Sequence, residues 1–397
     1  MKYENIVRYA KENVPFYRNL DPCEDMPYID KVTIANNIDD FICGKYKGIL
    51  KKQLLAFQTS GTTGQPSLIY WNENDLIKSN LHLWKYRKTE ASISPTDKYC
   101  SFHMAYTLGN KVETPQRVRV SENGKNLSLC SLFGSEKDIL FYYNVILSYE
   151  PVWMFVAPSI ILKFMEVMKK YNLQKFKSIK YIELVGETVN DDTINNIATF
   201  FSVIVRNMYG TRETGAIAYQ CSCGKMHIID ENVYINEIIA EDQNNYGELV
   251  LTSLVNTAMP LIKYRTGDMV EMAESSCPCG RNGLVINRIY GRKTYGVFYR
   301  DIWLSDGVLS YCISIVNSHL CNIIKQYKLV KRKNGTFYLM LLAENAFLNW
   351  EKVLYEELRR AFLSVSIDVT DIQIRFVSKS DDFLSQEGKY KTIVEER

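Results

Sequence analysis

The chain has 397 residues, 46% of them hydrophobic and 23% charged, enough to bury a sizeable core and to form two or three domains. Its 48 lysines and arginines against 45 aspartates and glutamates leave a formal net charge of +3, too small for a dedicated nucleic-acid or membrane surface. No apolar run approaches the roughly 18 residues of a membrane span. Residues 1–20 are too charged for a signal peptide, and ten cysteines in so long a chain do not make a disulfide scaffold, so a globular, cytoplasmic protein is expected.

In chain order, the first predicted element is an amphipathic helix over residues 1–19, with Tyr3, Ile6, Val7, Ala10, Val14 and Phe16 near helical spacing. The stretch TSGTTGQP then places Thr59, Ser60, Gly61, Thr62, Thr63 and Gly64 between two strand-like runs, residues 54–57 and 68–71. Glycine permits successive N–H groups to turn toward one point, and the hydroxyls add donors, so the loop reads as an anion cradle joining two strands. It is not a Walker loop, because Pro66 and Ser67 stand where a lysine and a hydroxyl residue are required. The plainer reading is a polar hairpin turn.

Residues 73–87 read as a helix entered through Asn72 or Asn74, and residues 97–105 are expected to bring Tyr99, Phe102, His103 and Tyr106 close together. From residue 137 the pattern alternates. Helical periods fall at 139–148, 160–171 and 191–201, and strand-like runs at 152–156, 181–185 and 203–207, which argues for an α/β sheet with parallel strands. Ligands collect at the carboxyl ends of such strands, where Gly186-Glu187 and Tyr209-Gly210-Thr211-Arg212-Glu213 stand.

Next come two cysteine knuckles, CSCGKMH with Cys221, Cys223 and His227, and CPCGR with Cys277 and Cys279. Five candidates compete for the four places of a tetrahedral structural zinc, which would tie loops together and do no chemistry. Residues 248–253 and 260–264 read as strands leading into Arg265-Thr266-Gly267-Asp268. Strand-like runs at 337–342 and 372–377 and a helix at 350–362 then describe a compact α+β unit ending near SQEGKYK.

Taken together, TSGTTGQP at Thr59, VGE at Val185, YGTRETG at Tyr209, MPLIKYRTGD at Met259, IYGRK at Ile289 and SQEGK at Ser385 resemble the adenylate-forming superfamily. Within it the chain is most similar to the phenylacetate:CoA ligases and the related capsule-biosynthesis adenylating proteins. The resemblance implies an α/β fold with a large N-terminal adenylation domain of mixed sheets and helices, residues 1–293, including a zinc-binding insertion over 221–279. A small mobile α+β C-terminal lid, residues 294–397, would follow a hinge at the glycine–arginine motif.

The same resemblance implies roles. Thr59, Ser60, Gly61, Thr62, Thr63 and Gly64 would hold the phosphates of ATP, Gly186 and Glu187 would border the adenine, and Tyr209, beside Gly210 and Thr211, would stack on it. Glu213 would hold Mg²⁺, and Asp268 would accept hydrogen bonds from both ribose hydroxyls. Arg288 or Arg292 would contact ribose or phosphate, with Arg292 preferred for its place in the motif. Lys389 would reach the carboxylate and the α-phosphate, with Lys391 as its competitor, and His103 and Tyr106 would line the acid pocket. Cys221, His227, Cys277 and Cys279 would ligate zinc, with Cys223 as the substitute. Arg212 departs from the pattern, since many relatives carry serine or threonine at that place.

The implied activity is ATP-dependent activation of an aryl or small acyl acid to an acyl-adenylate, followed by transfer to coenzyme A. Transfer to an amine or a carrier protein is the first alternative, and a catalytically silent, zinc-stabilised nucleotide-binding partner is the second. The expected partners are a small carboxylic acid and the acyl acceptor, with no nucleic acid and no membrane span, and a homodimer is compatible with the sequence.

Overall fold

Pro15 breaks the N-terminal amphipathic run. A residue before proline is pushed toward extended backbone, and Val14 sits at φ −111°, ψ 119° between α1 (Tyr3–Asn13) and α2 (Pro15–Arg18), where one continuous helix was expected. The structure, a computed structural model, describes residues 2–20, 25–58, 68–103, 117–130, 136–187, 189, 191–240, 246–292, 296–300, 302–320, 323–343, 350–364, 367–378 and 392–396.

After α3 (Lys31–Asn36), the strands β1 (Leu55–Gln58) and β2 (Leu68–Trp71) pair antiparallel, with Gln58 opposite Leu68. The hydroxyl-rich loop thus joins two strands, as expected, while the loop itself lies outside the described residues. The helix α4 (Glu73–Ala91) begins at Asn72, whose side chain accepts a hydrogen bond from the Asp75 backbone N–H.

The alternating stretch forms β3 (Tyr99–His103), β4 (Val118–Val120), β5 (Asn126–Cys130), α5 (Glu136–Tyr149), β6 (Trp153–Val156), α6 (Pro158–Lys170), β7 (Tyr181–Val185) and α7 (Asp191–Phe201). Next come β8 (Ile204–Thr211), β9 (Gly215–Gln220), β10 (Met226–Ile228), β11 (Val233–Ala240), β12 (Tyr246–Ser253), β13 (Tyr264–Met272) and β14 (Val285–Arg292). The chain closes with β15 (Gly296–Tyr299), β16 (Ile302–Ser305), α8 (Asp306–His319), β17 (Ile324–Lys331), β18 (Phe337–Ala343), α9 (Trp350–Ser364), β19 (Gln373–Phe376) and β20 (Ile393–Glu395). No described helix is long and apolar enough to cross a membrane.

These elements make two compact units, Met1–Pro95 with Arg206–Ile289, and Thr96–Val205 with Tyr290–Arg397. In the first unit, α1, α2 and β2 pack Tyr17 and Trp71 against Met259 and Tyr264, and a second core lies inside a sheet of order β11-β12-β13-β14-β10-β9-β8, around Ile217, Leu249, Leu251 and Ile286. Each fully buried large side chain of this kind contributes about 1.5–3 kcal/mol. In the second unit, β3 is parallel to β5 and β6, and β6 to β7, so the predicted parallel sheet is present, with β4 antiparallel at its edge. The C-terminal part carries its own sheet, β19-β18-β17-β20, over α8 and α9. The expected hinge at Lys293 and Thr294 lies outside the described residues.

Two expectations need correction. Residues 260–263 are irregular, not a strand, because Lys263 turns to φ +51°; the Tyr17 phenol donates to the Pro260 carbonyl and accepts from the Ile262 N–H in place of a ladder. Tyr99 and Phe102 do not cluster. Strand alternation puts them on opposite faces of β3: Tyr99, half-buried, stacks on Trp153 at 4.7 Å, and Phe102 lies edge-on to Phe164 at 5.7 Å against the core.

Candidate functional site

The β8–β9 hairpin carries the YGTRETG motif. Tyr209 pairs with Ala218, the register then slips, and Gly210 lies opposite Ala216. Tyr209, Gly210 and Thr211 are therefore the end of a strand, not residues following one, and Arg212, Glu213 and Thr214 form the turn. The turn is held from within by the Thr214 N–H donating to Thr211 Oγ1 at 3.2 Å, and from outside by Trp71 Nε1 donating to the Arg212 carbonyl at 3.1 Å. Gly215 closes it at φ +78°, where a Cβ would stand 2.7 Å from Ser79 Oγ, so only glycine fits between the turn and α4.

Glu213 is buried within this turn, with the Lys31 ammonium 3.1 Å from its Oε1. A buried carboxylate needs such a cation or a metal to offset its lost hydration. Lys31 is the first residue of α3, which Asp30 caps by accepting from the Thr33 N–H at 2.8 Å. Just before it, Ile29 bridges β13: its N–H donates to the Lys263 carbonyl, and its carbonyl accepts from the Arg265 N–H at 2.8 Å.

Asp268 owes its position to a bulge. Glu248 pairs with Met269 and Val250 with Arg265, so Thr266, Gly267 and Asp268 stand against Leu249 alone, with Gly267 at φ +74°. Thr266 Oγ1 donates to the Leu249 carbonyl and accepts from the Asp268 N–H, which fixes the excursion. The Tyr209 phenol then donates to Asp268 Oδ2 at 2.6 Å. β8 and β13 are four places apart in the strand order, about 19 Å in a flat sheet at the usual strand spacing, so the sheet curls to bring the two motifs together. One oxygen of Asp268 is thus already engaged by the tyrosine, a constraint that the expected two-oxygen ribose contact did not include.

In the second unit, Gly186 follows β7 at φ +79°, and both carboxylate oxygens of Glu187 are engaged. Oε2 accepts from the Ser159 N–H at 2.9 Å and Oε1 from the Ser159 hydroxyl at 2.7 Å, so Glu187 caps α6, whose own N-cap residue, Ala157, has no side chain to do so. Arg292 ends β14, half-buried, and Arg288 is exposed on the same strand. His103 ends β3, while Thr59, Ser60, Gly61, Thr62, Thr63, Gly64, Tyr106, Lys389 and Lys391 lie outside the described residues.

The knuckles converge in the first unit. The ligating atoms of Cys221, His227, Cys277 and Cys279 all lie within 4.8 Å of one another, with Cys221 Sγ 3.6 Å from Cys277 Sγ and Cys279 Sγ 3.2 Å from His227 Nε2. Around a tetrahedral zinc, with Zn–S about 2.3 Å and Zn–N about 2.0–2.1 Å, such edges are about 3.5–3.8 Å, so the set fits the ion. Burial pushes the Cys221 thiol up to about 12 and lowers the His227 imidazole, which keeps it in the neutral form that ligates. Burial works upward on Cys277 as well, but hydrogen bonds from the Cys279 backbone and from the neighbouring thiols outweigh it and hold Cys277 below the ordinary thiol value. Cys223 is exposed and outside this group of four, the arrangement in which it is the substitute.

Sequence reasoning missed Lys31, Trp71, Ser79 and Thr266. Nothing local marks Lys31 as the partner of a glutamate far along the chain.

Residues 54–238 match the family model described as AMP-binding enzyme. Among curated proteins, the chain is 23% identical over 359 residues to the phenylacetate-coenzyme A ligase of Thermus thermophilus, covering 84% of this chain and 78% of that protein. It is also 23% identical to protein CapK of Staphylococcus aureus over 308 residues, 74% of this chain and 66% of that protein. The fold is similar to a solved structure of 2-hydroxyisobutyryl-CoA ligase in the postadenylation state, with a TM-score of 0.69, 14% identity, and coverage of 99% of this chain and 88% of the other.

Proposed function

We propose that the chain, whose residues 54–238 match the AMP-binding enzyme family model, is an adenylate-forming ligase that activates an aryl or small acyl acid and transfers it to coenzyme A. The observation that carries this reading is the meeting of Tyr209 and Asp268 at 2.6 Å, beside a turn that buries Glu213. A flat ring suits a purine, and a carboxylate suits a ribose diol.

In the first step a carboxylate oxygen of the acid attacks the α-phosphorus of ATP. The new bond joins that oxygen to phosphorus, the bond from the α-phosphorus to the bridging oxygen breaks, and pyrophosphate leaves with the electron pair. No proton has to move and no covalent enzyme intermediate forms, so the protein acts by position and charge. Tyr209 supports the adenine, with Gly186, Gly210 and Thr211 at its edge, Asp268 holds the ribose and Arg292 the ribose or a phosphate. Thr59, Ser60, Gly61, Thr62, Thr63 and Gly64 hold the phosphates, and Lys389 neutralises the charge gathering where acid and phosphate meet. Glu213, a hard oxygen donor, would hold Mg²⁺, which supplies neutralisation of phosphate charge. Cys221, His227, Cys277 and Cys279 would hold a structural Zn²⁺, which would cross-link the turn after β9, β10 and the β13–β14 connection and do no chemistry.

In the second step the coenzyme A thiol gives its proton to solvent and its sulfur attacks the acyl carbon; the new carbon–sulfur bond forms, the bond from the acyl carbon to the AMP oxygen breaks, and AMP leaves with that electron pair. The names of the curated relatives support coenzyme A as the acceptor. An amine or a carrier protein is the alternative, and the silent-partner reading is opposed by the assembled Tyr209, Asp268 and Glu213.

Pyrophosphate release with a panel of aryl and short acyl acids, with and without coenzyme A, tests all of this. Acid-dependent release with thioester formation is the expected result. Release without thioester, rescued by an amine, moves the acceptor, and no release with any acid or acceptor overturns the proposal.

A further inference from the structure

Lys31 has a place that the reaction as described does not use. Its ammonium is 3.1 Å from Glu213 Oε1, and its side chain is only 16% exposed. The segment that delivers it is anchored: Ile29 and Ile34, on either side, are fully buried, Ile29 is hydrogen-bonded to Lys263 and to Arg265 of β13, and Asp30 caps α3. The same strand, three residues beyond Arg265, carries Asp268, so the cation and the proposed ribose ligand are referenced to one piece of backbone. A surface lysine that merely finds an acid would not be framed in this way.

One carboxylate and one ammonium in contact are together neutral. A divalent cation arriving alone finds no net negative charge at Glu213, and to bind there it must stand beside an ammonium in a site where little water screens the repulsion. A triphosphate reverses this balance, since its several negative charges accept both the metal and the ammonium.

We propose that Lys31 makes metal binding at Glu213 conditional on nucleotide: it holds the carboxylate while no phosphate is present, and yields that oxygen to the metal and turns to phosphate oxygens when ATP enters. This rests on Glu213 being the metal carboxylate. Lys31 is then a positioning residue before ATP binds and a phosphate contact afterwards, and the protein avoids holding a bare divalent ion.

The test is Mn²⁺ binding to the zinc-replete protein without nucleotide, read by electron paramagnetic resonance of the free ion. Wild type should bind Mn²⁺ weakly, Lys31→Met about tenfold or more tightly, and Lys31→Met combined with Glu213→Gln should lose that gain. Lys31→Arg should stay weak, which covers the case in which the methionine variant does not fold. In pyrophosphate exchange at saturating Mg²⁺, Lys31→Met should be slower by about 10², the scale for removing a charge-stabilising group. Equal Mn²⁺ affinity in folded wild type and Lys31→Met, or a gain that survives Glu213→Gln, overturns the proposal. If Glu213→Gln alone leaves the Mg²⁺ requirement of the exchange unchanged, the assignment of Glu213 to the metal is what has failed.

Discussion

Replacing Asp268 by asparagine keeps the shape of the side chain and removes its charge, so it isolates what the carboxylate does. In the free protein the acid accepts one short bond, 2.6 Å from the Tyr209 phenol. A hydrogen bond to a charged group is worth about 1.5–3 kcal/mol and a neutral one about 0.5–1.5, so each hydroxyl held by Asp268 loses about 1 kcal/mol in the variant. With two ribose hydroxyls held, ATP binding should weaken by about 2 kcal/mol, roughly 30-fold at 1.4 kcal/mol per decade. The backbone should not move, because the bulge is tied by the Thr266 hydroxyl and the Asp268 N–H, neither of which the substitution touches. Calorimetric titration of wild type and Asp268→Asn with ATP and with 2′,3′-dideoxy-ATP closes a double-mutant cycle. Wild type should lose about 3–6 kcal/mol on the dideoxy nucleotide, roughly 10²–10⁴-fold, and the variant only about 1–3 kcal/mol, which leaves a coupling of about 2 kcal/mol or more. If Asp268→Asn weakens both nucleotides by the same factor, the coupling is zero and Asp268 does not hold the ribose.

Elemental analysis should find about one zinc per chain in protein never exposed to chelator, unchanged by Cys223→Ser and lost in Cys277→Ser, with a fall in melting temperature before any fall in activity. Lys389→Ala should slow acid-dependent pyrophosphate exchange by about 10² while ATP affinity stays within a few-fold; normal exchange in this variant together with its loss in Lys391→Ala would shift the role by two residues. Glu187→Ala should cost about 1 kcal/mol in a denaturant melt through the lost cap of α6, and an accompanying drop in ATP affinity would add an adenine role to the structural one. Gly215→Ala should destabilise by about 1–3 kcal/mol, because it strains a positive φ and meets Ser79 Oγ; Ser79→Ala should relieve only the second part, and full rescue would show that the backbone is unstrained.

Much of the fold could be read from periodicity. The strand Tyr181–Val185 and the helix Asp191–Phe201 occur at the predicted bounds, because in this stretch each strand is buried along its length and each helix has one apolar face, so local pattern and tertiary position coincide. The hairpin around the hydroxyl-rich loop was legible from the two short apolar runs that flank it, although Leu55 and Leu68 are exposed. At Val14, which obeys the steric rule for a residue before proline, and at Lys263, which takes a left-handed backbone against steric preference, the apolar pattern pointed to regular structure that the backbone does not take up.

The sequence by itself determined which chemistry is present: the spacing of the cysteine knuckles, the motif glycines and the acids beside them are local facts, readable one motif at a time. What only the tertiary structure decided is which of these residues meet. A three-residue bulge and the curl of a sheet bring Tyr209 to Asp268, the turn after β9, the strand β10 and the β13–β14 connection bring Cys221, His227, Cys277 and Cys279 together and leave Cys223 exposed, and an N-terminal segment hydrogen-bonded to β13 carries Lys31 to Glu213. Such pairings depend on long-range strand order and on register, which a side-chain pattern with a period of two or of 3.6 residues does not encode.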